Sequence, residues 1–165
     1  MKSRELDALF LEALKDIYYA ERKILRALPK MMRAAQSEEL KQAFQTHREE
    51  TEGHKERLEQ VFEMIGKRPS GKTCPAIDGI IEEGEEVMDT FKGMPALDAG
   101  LVAAAQAVEH YEMARYGTLC AWAKVLGMQD AVNVLTQTLE EEKRTDELLN
   151  QLAEGQINQM AVAAE

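Results

Sequence analysis

The chain has 165 residues, with 30 acidic against 20 basic side chains, a formal net charge of −10, and only 10 glycines and 4 prolines. That length suits one domain with a sizeable core. The acidic balance argues against nucleic acid and anionic membrane surfaces as partners. No stretch reaches the ~18 uninterrupted apolar residues of a membrane-spanning helix. The start, Met1 to Glu5, leads into an amphipathic pattern with no secretory core. Cys74 and Cys120 form no CxxC pair and read as free thiols in a reducing cytoplasm.

Ala, Leu, Glu, Lys, Gln and Met dominate, all strong helix formers. The expectation is therefore an all-α chain. A first helix is predicted over about 3–35, with Leu6, Phe10, Ala13, Ile17, Ala20, Ile24, Leu28 and Met31 at spacings of three and four and a kink at Pro29. Ser37 can cap a second helix over 38–65. Its stripe is Leu40, Phe44, His47, Thr51, His54, Leu58, Val61 and Ile65, and Gly66 ends it. The turn between the two is short, so they form an antiparallel hairpin.

A polar loop follows to Thr73. Pro75 can open a short helix over 76–91, and Gly93 stops it. Pro95 opens a long helix over 96–126, ended by Gly127. Asp130 caps the last, over 130–154, and Gly155 stops it, with the final residues fraying. Two hairpins joined by a connection of about thirty residues make a ferritin-like four-helix bundle, with a short fifth helix inside the crossover. A plain helical bundle with that short helix in the core is the alternative.

The mid-points of the four long helices fall near Tyr19, Thr51, Tyr111 and Glu142. In an aligned bundle these share one level. Glu21 on the first helix, Glu50 and His54 on the second, Glu109 and Glu112 on the third, and Glu142 and Asp146 on the fourth then meet at one depth. Glu109 and Glu112 share a helix face with the apolar stripe Leu101, Ala105, Val108, Leu119 and Ala123. Carboxylates are seldom buried unless they are paired or bind metal. Bridging and terminal carboxylates with imidazole suit two divalent irons or manganese ions.

The plainer reading is a buried ion-pair network, Glu109 and Glu112 with Arg115 and Arg22, and Glu21 with Arg57. Asp16 is an alternative acid on the first helix. Glu141 reads as part of a solvated charge run, His47 as a satisfied core histidine, and His110 as a neighbour of the site or a surface residue. The four tyrosines read as core packing with hydroxyls satisfied by acids.

Five segments, 14–22 (LKDIYYAER), 47–54 (HREETEGH), 57–62 (RLEQVF), 109–117 (EHYEMARYG) and 139–148 (LEEEKRTDEL), resemble the YciF/YciE-type ferritin-like family of bacterial stress proteins. That resemblance implies a rubrerythrin- or ferritin-like four-helix bundle, a homodimer, a cytoplasmic location and a di-metal site. The rubrerythrin pattern has a Glu-x-x-His pair on two helices. Here Glu50 is followed by His54 at the fourth position and Glu142 by Asp146. No CxxC pair is present for a rubredoxin-type centre. The expected function is a carboxylate-bridged di-iron or di-manganese stress protein with oxidase or peroxide-detoxifying activity. The alternative is a metal-free or weakly metal-binding dimeric structural stress protein with a buried acidic network. No further long helix follows the fourth, which argues against a storage shell.

Overall fold

The structure, a computed structural model, describes residues 5–162. Its elements are α1 (Leu6–Ala34), α2 (Glu38–Met64), α3 (Pro75–Thr90), α4 (Leu97–Val125) and α5 (Gln129–Leu152), followed by a π-helical turn (Ala153–Ile157) and α6 (Asn158–Met160). Helices α1 and α2 form one hairpin, and α4 and α5 the other. Helix α2 packs on α5 and α1 on α4, closing a four-helix ring, while α3 lies over α1 and α4. Helices α2 and α4 are thus diagonal, so the chain must cross the bundle between them. The long crossover and its short helix follow from that requirement.

The helix ends obey local chemistry. The Ser37 hydroxyl accepts from the Leu40 amide at 3.3 Å, satisfying an otherwise orphaned donor at the start of α2. Pro75 occupies the first turn of α3, where its missing N–H costs nothing. Gly66 and Gly127 adopt φ of 67° and 72°, a conformation costly for residues with a Cβ, and they end α2 and α4. Helix α1 continues through Pro29 to Ala34.

Three predicted boundaries differ. Helix α4 begins at Leu97, two residues beyond Pro95, because 91–95 form a turn. Asp130 lies in the first turn of α5, whose cap is Met128. The chain stays helical past Gly155 to Met160, because Ala153 and Ile157 are buried against the bundle and burial outweighs the glycine's poor propensity. The predicted start at Ser3 and the last residues, 163–165, lie outside the described residues.

The apolar stripes become the core. Phe10, Leu14, Ile17, Phe44, Leu58, Phe62, Leu101, Leu119 and Leu135 are almost wholly shielded from solvent, each contributing about 1.5–3 kcal/mol by burial. The crossover is held more by shape than by area. On α3 only Ile77 and Gly84 are fully buried. A Cβ at Gly100 of α4 would stand 2.5 Å from Val87 Cγ1 of α3, so the absence of a side chain at Gly100 sets how closely the two helices approach. Asp98, in the first turn of α4, accepts from the backbone amides of Gln36 and Ser37, both at 2.8 Å. It thereby ties the α1–α2 turn to the second hairpin.

Candidate metal centre

Each of the four long helices turns acids or imidazoles inward at its middle. Glu21 of α1, His54 of α2, Glu112 of α4 and Glu142 of α5 each offer one ligand atom within 4.8 Å of one another. His47 of α2, Glu109 of α4 and Glu142 form a second such group. Glu142 belongs to both, as a bridging carboxylate would. All six side chains are buried, and Glu21, His54, Glu112 and Glu142 are 0% exposed.

The placement follows from helix periodicity. His47 and His54 are two turns apart, so both face the axis, with buried Thr51 between them. Its hydroxyl donates back to the His47 carbonyl at 2.6 Å. Glu109 and Glu112 are one turn apart on α4 and point the same way.

The closest approaches are His54 Nδ1 to Glu142 Oε1 at 2.7 Å, His54 Nδ1 to Glu21 Oε1 at 3.6 Å, and His47 Nε2 to Glu109 Oε1 at 2.9 Å. Yet both nitrogens of His47, Nδ1 of His54, both oxygens of Glu112 and Glu142, and one oxygen each of Glu21 and Glu109 have no aligned hydrogen-bond partner among the described residues. The groups are close but do not aim at each other as donor and acceptor. Their polar atoms converge on shared points, and buried polar atoms left in this state call for an ion, water or proton.

The electrostatics carry the same strain. Burial pushes the Glu112 carboxyl well above the ordinary carboxylate range, and the charges of Glu142 and Glu21 push it further. Burial likewise raises Glu109 to about 7 and raises Glu142 beside it. Burial lowers His47 and keeps its ring neutral. For His54, burial acts in the same direction, but the hydrogen bond to Glu141 and the close carboxylates of Glu142 and Glu21 outweigh it and push the ring up to about 12.

An outer layer orients these groups. Glu141 Oε2 lies 3.1 Å from His54 Nε2. Arg57 grips both oxygens of Glu141, with Nη2 to Oε1 at 3.0 Å and Nη1 to Oε2. Arg57 Nη1 also donates to Thr138 Oγ1 at 3.1 Å. Burial would raise Glu141, but His54 and Arg57 hold it down at about 2. This carboxylate fixes Nε2 of His54 outward and leaves Nδ1 facing the cluster. The Tyr116 hydroxyl, itself buried, donates to Glu21 Oε1 at 2.7 Å.

Of the residues singled out in the sequence, the structure brings together Glu21, His54, Glu109, Glu112 and Glu142. Glu50 and Asp146 lie at the rim, outside both convergent groups. Glu50 is half-buried and accepts from Thr145 at 3.2 Å. Asp146 lies 3.1 Å from the exposed His110 ring and keeps one buried oxygen unpartnered. On α1 the choice falls to Glu21, because Asp16 instead accepts from Tyr111 at 3.3 Å.

The ion-pair alternatives are not formed. Arg57 serves Glu141, while Arg22 and Arg115 stack on Tyr18 and Tyr111 at 5.8 and 5.3 Å. Two residues were missed. His47, read as a core histidine, faces Glu109; its seven-residue spacing from His54 is the signal that could have found it. Glu141, read as a solvated charge, is the clamp on His54. Its partners lie 84 and 87 positions away, so nothing local marks it.

Residues 5–162 match the family described as Domain of unknown function (DUF892). The chain belongs to that family. It is 44% identical to Protein YciF of Escherichia coli K12 over 162 residues, 98% of each chain. The crystal structure of that E. coli stress protein superposes with a TM-score of 0.89 at 45% identity, covering 96% of this chain and 99% of that one. YcfI of Rhodopseudomonas palustris, for which a structural role has been suggested, superposes with a TM-score of 0.86 at 51% identity over 88% of this chain and 93% of its own. The DUF892 chain described here is thus a YciF-type helical bundle from a family of stress proteins.

Proposed function

We propose that this chain holds two divalent metal ions, iron or manganese, in the mid-bundle cluster and acts on dioxygen or peroxide as a stress-response oxidase or peroxide-detoxifying protein. The observation that carries the reading is the set of buried, unpartnered oxygen and nitrogen atoms on Glu21, His47, His54, Glu109, Glu112 and Glu142. Four glutamates and two histidines are the donor inventory of di-iron and di-manganese carboxylate bundles, although there the histidines sit on two helices. Here both come from α2, seven residues apart. Oxygen-rich donors with imidazole suit iron and manganese better than thiolate-seeking metals.

Bound there, such a pair would supply one-electron redox chemistry and open positions for a small oxidant. The chain's own residues do the rest. Glu142 reaches both groups and would bridge. Glu21, Glu112 and His54 would hold one ion with it, and Glu109 with His47 the other. Glu141 and Arg57 keep Nδ1 of His54 turned inward, and Tyr116 holds one oxygen of Glu21. In the metal-free protein, burial and mutual repulsion raise the carboxyls of Glu112, Glu142 and Glu109 and so favour their protonated forms. The proposal includes a homodimer in the cytoplasm.

The test is calorimetric titration of chelator-treated protein with Mn²⁺, together with elemental analysis after iron loading. Two ions per chain are expected, with both lost in Glu142→Ala. Near-zero uptake by a folded protein would sink the reading and favour the metal-free structural alternative, to which the role suggested for the R. palustris relative points.

A further inference from the structure

A second feature abuts the cluster from one side. Between α1, α3 and α4 lies a cavity of about 30 Å³. At its buried end are His47 and Glu109; at its exposed end, Lys30 of α1 and Glu85 of α3 meet at 3.3 Å. Every other lining residue is apolar or glycine. Ile24, Ile80, Ile81, Met88, Ala105 and Val108 form most of the wall. A space of this size holds one or two water-sized molecules.

We propose that this cavity is a binding site for dioxygen, delivering it under α3 to the His47–Glu109 side of the cluster. A volume of about 30 Å³ suits a diatomic molecule better than a larger organic substrate. Between its two polar ends the wall offers no hydrogen-bonding side chain, which disfavours a hydroxylic ligand there. Hydrogen peroxide would have to abandon its bonds to water along the length of the cavity, whereas dioxygen has none to abandon. The buried end is also the side of the cluster that no carboxylate clamps from outside. Both nitrogens of His47 lack an aligned partner, while His54 on the far side is closed off by Glu141 and Arg57.

The seam between α3 and α4 sets the bore. Gly84 is buried in it, and a Cβ there would lie 3.4 Å from the Cβ of Ala104. A larger side chain at Gly84 must therefore enter the cavity or push α3 outward. Met88, four residues on, also lines the space and is only half-buried. Shortening it enlarges the cavity without touching the cluster. The purpose assigned to this site rests on the metal reading above, but its occupancy by gas does not.

The experiment is methyl NMR of the full-length chain, freed of paramagnetic metal, under increasing dioxygen pressure. Paramagnetic relaxation of the Ile80, Ile81, Ala105 and Val108 methyls is expected to rise several-fold more than that of buried methyls elsewhere, such as Leu119 and Leu135. Gly84→Leu should abolish the excess and Met88→Ala should increase it, which keeps the proposal testable if the first variant does not fold. Titration with hydrogen peroxide should leave the same methyls unshifted. Equal relaxation at all buried methyls, a folded Gly84→Leu with the excess intact, or saturable shifts with peroxide alone would each overturn the assignment. Loss of metal uptake with gas occupancy retained would overturn the proposed function instead, so the two failures are distinct.

Discussion

The two histidines of α2 face the same cluster in opposite circumstances. His54 is wholly buried, clamped from outside by Glu141, and held protonated by three carboxylates. His47 is kept neutral by burial, has no aligned partner at either nitrogen, and borders an apolar cavity. One side of the centre is thus preorganised and closed, and the other is unclamped and reachable. An imidazole fixed by a carboxylate behind it is a rigid ligand. An imidazole without such a clamp, beside a cavity, is the side on which exchange of small molecules is cheapest.

The largest effects should come from Glu142, which belongs to both sides. Glu142→Ala is expected to abolish uptake of both ions in a Mn²⁺ titration; one ion retained would break the bridging assignment. Next, Glu141→Ala should weaken binding on the His54 side by roughly 10–100-fold and leave the other side unchanged. His47→Ala should do the converse, removing one ion and leaving one. Equal effects of the two substitutions on both ions would erase the contrast between the halves.

A third expectation concerns stability without metal. Glu112→Gln replaces a carboxyl that burial and the neighbouring carboxylates disfavour in its ionised form, and should raise the stability of the metal-free fold near neutral pH by about 1–3 kcal/mol in urea denaturation, while lowering metal affinity. A matching loss of stability would mean that the carboxylate is satisfied by the protein itself.

The pH dependence has a definite sign. Glu109 ionises at about 7 in the folded chain against an ordinary 4.5, so between those values the folded state holds more protons than the unfolded one. Its contribution to the metal-free protein's stability is present below about 4.5 and is lost as pH rises through 7. Metal uptake near pH 6 should release protons from this group, seen as a buffer-dependent enthalpy. Glu141 runs the other way: held down at about 2, it contributes above its ordinary range and loses that contribution as pH falls towards 2. Its partial contact with solvent keeps the effect modest.

The smallest effects are expected at the rim. Glu50→Ala and Asp146→Ala should change metal affinity by less than about threefold, the scale of ~0.5 kcal/mol usual for substitutions away from a site. A larger loss would bring either residue into the ligand set.

Much was legible in the sequence. Spacing of three and four marked the core faces of α1, α2 and α4, and two short turns flanking one long connection implied two antiparallel hairpins joined by a crossover. The level of the acids followed from helix mid-points, because rise per residue is constant. Boundaries were less secure where tertiary burial competes with local chemistry, as at Gly155, where Ile157 draws the chain onward.

What the sequence by itself determined was periodicity: an all-α chain, its apolar faces, and acids on four helices at one depth. Only the tertiary structure decided which atoms meet. A Glu or His turned inward by its helix can pair with an arginine, a tyrosine or a metal ion, and that choice depends on what stands opposite it from distant parts of the chain. Arg57 went to Glu141 rather than Glu21, His47 met Glu109, and α3 closed over an apolar gap. No local pattern encodes these pairings, because their energies arise from desolvation and proximity, and both exist only once the helices are packed.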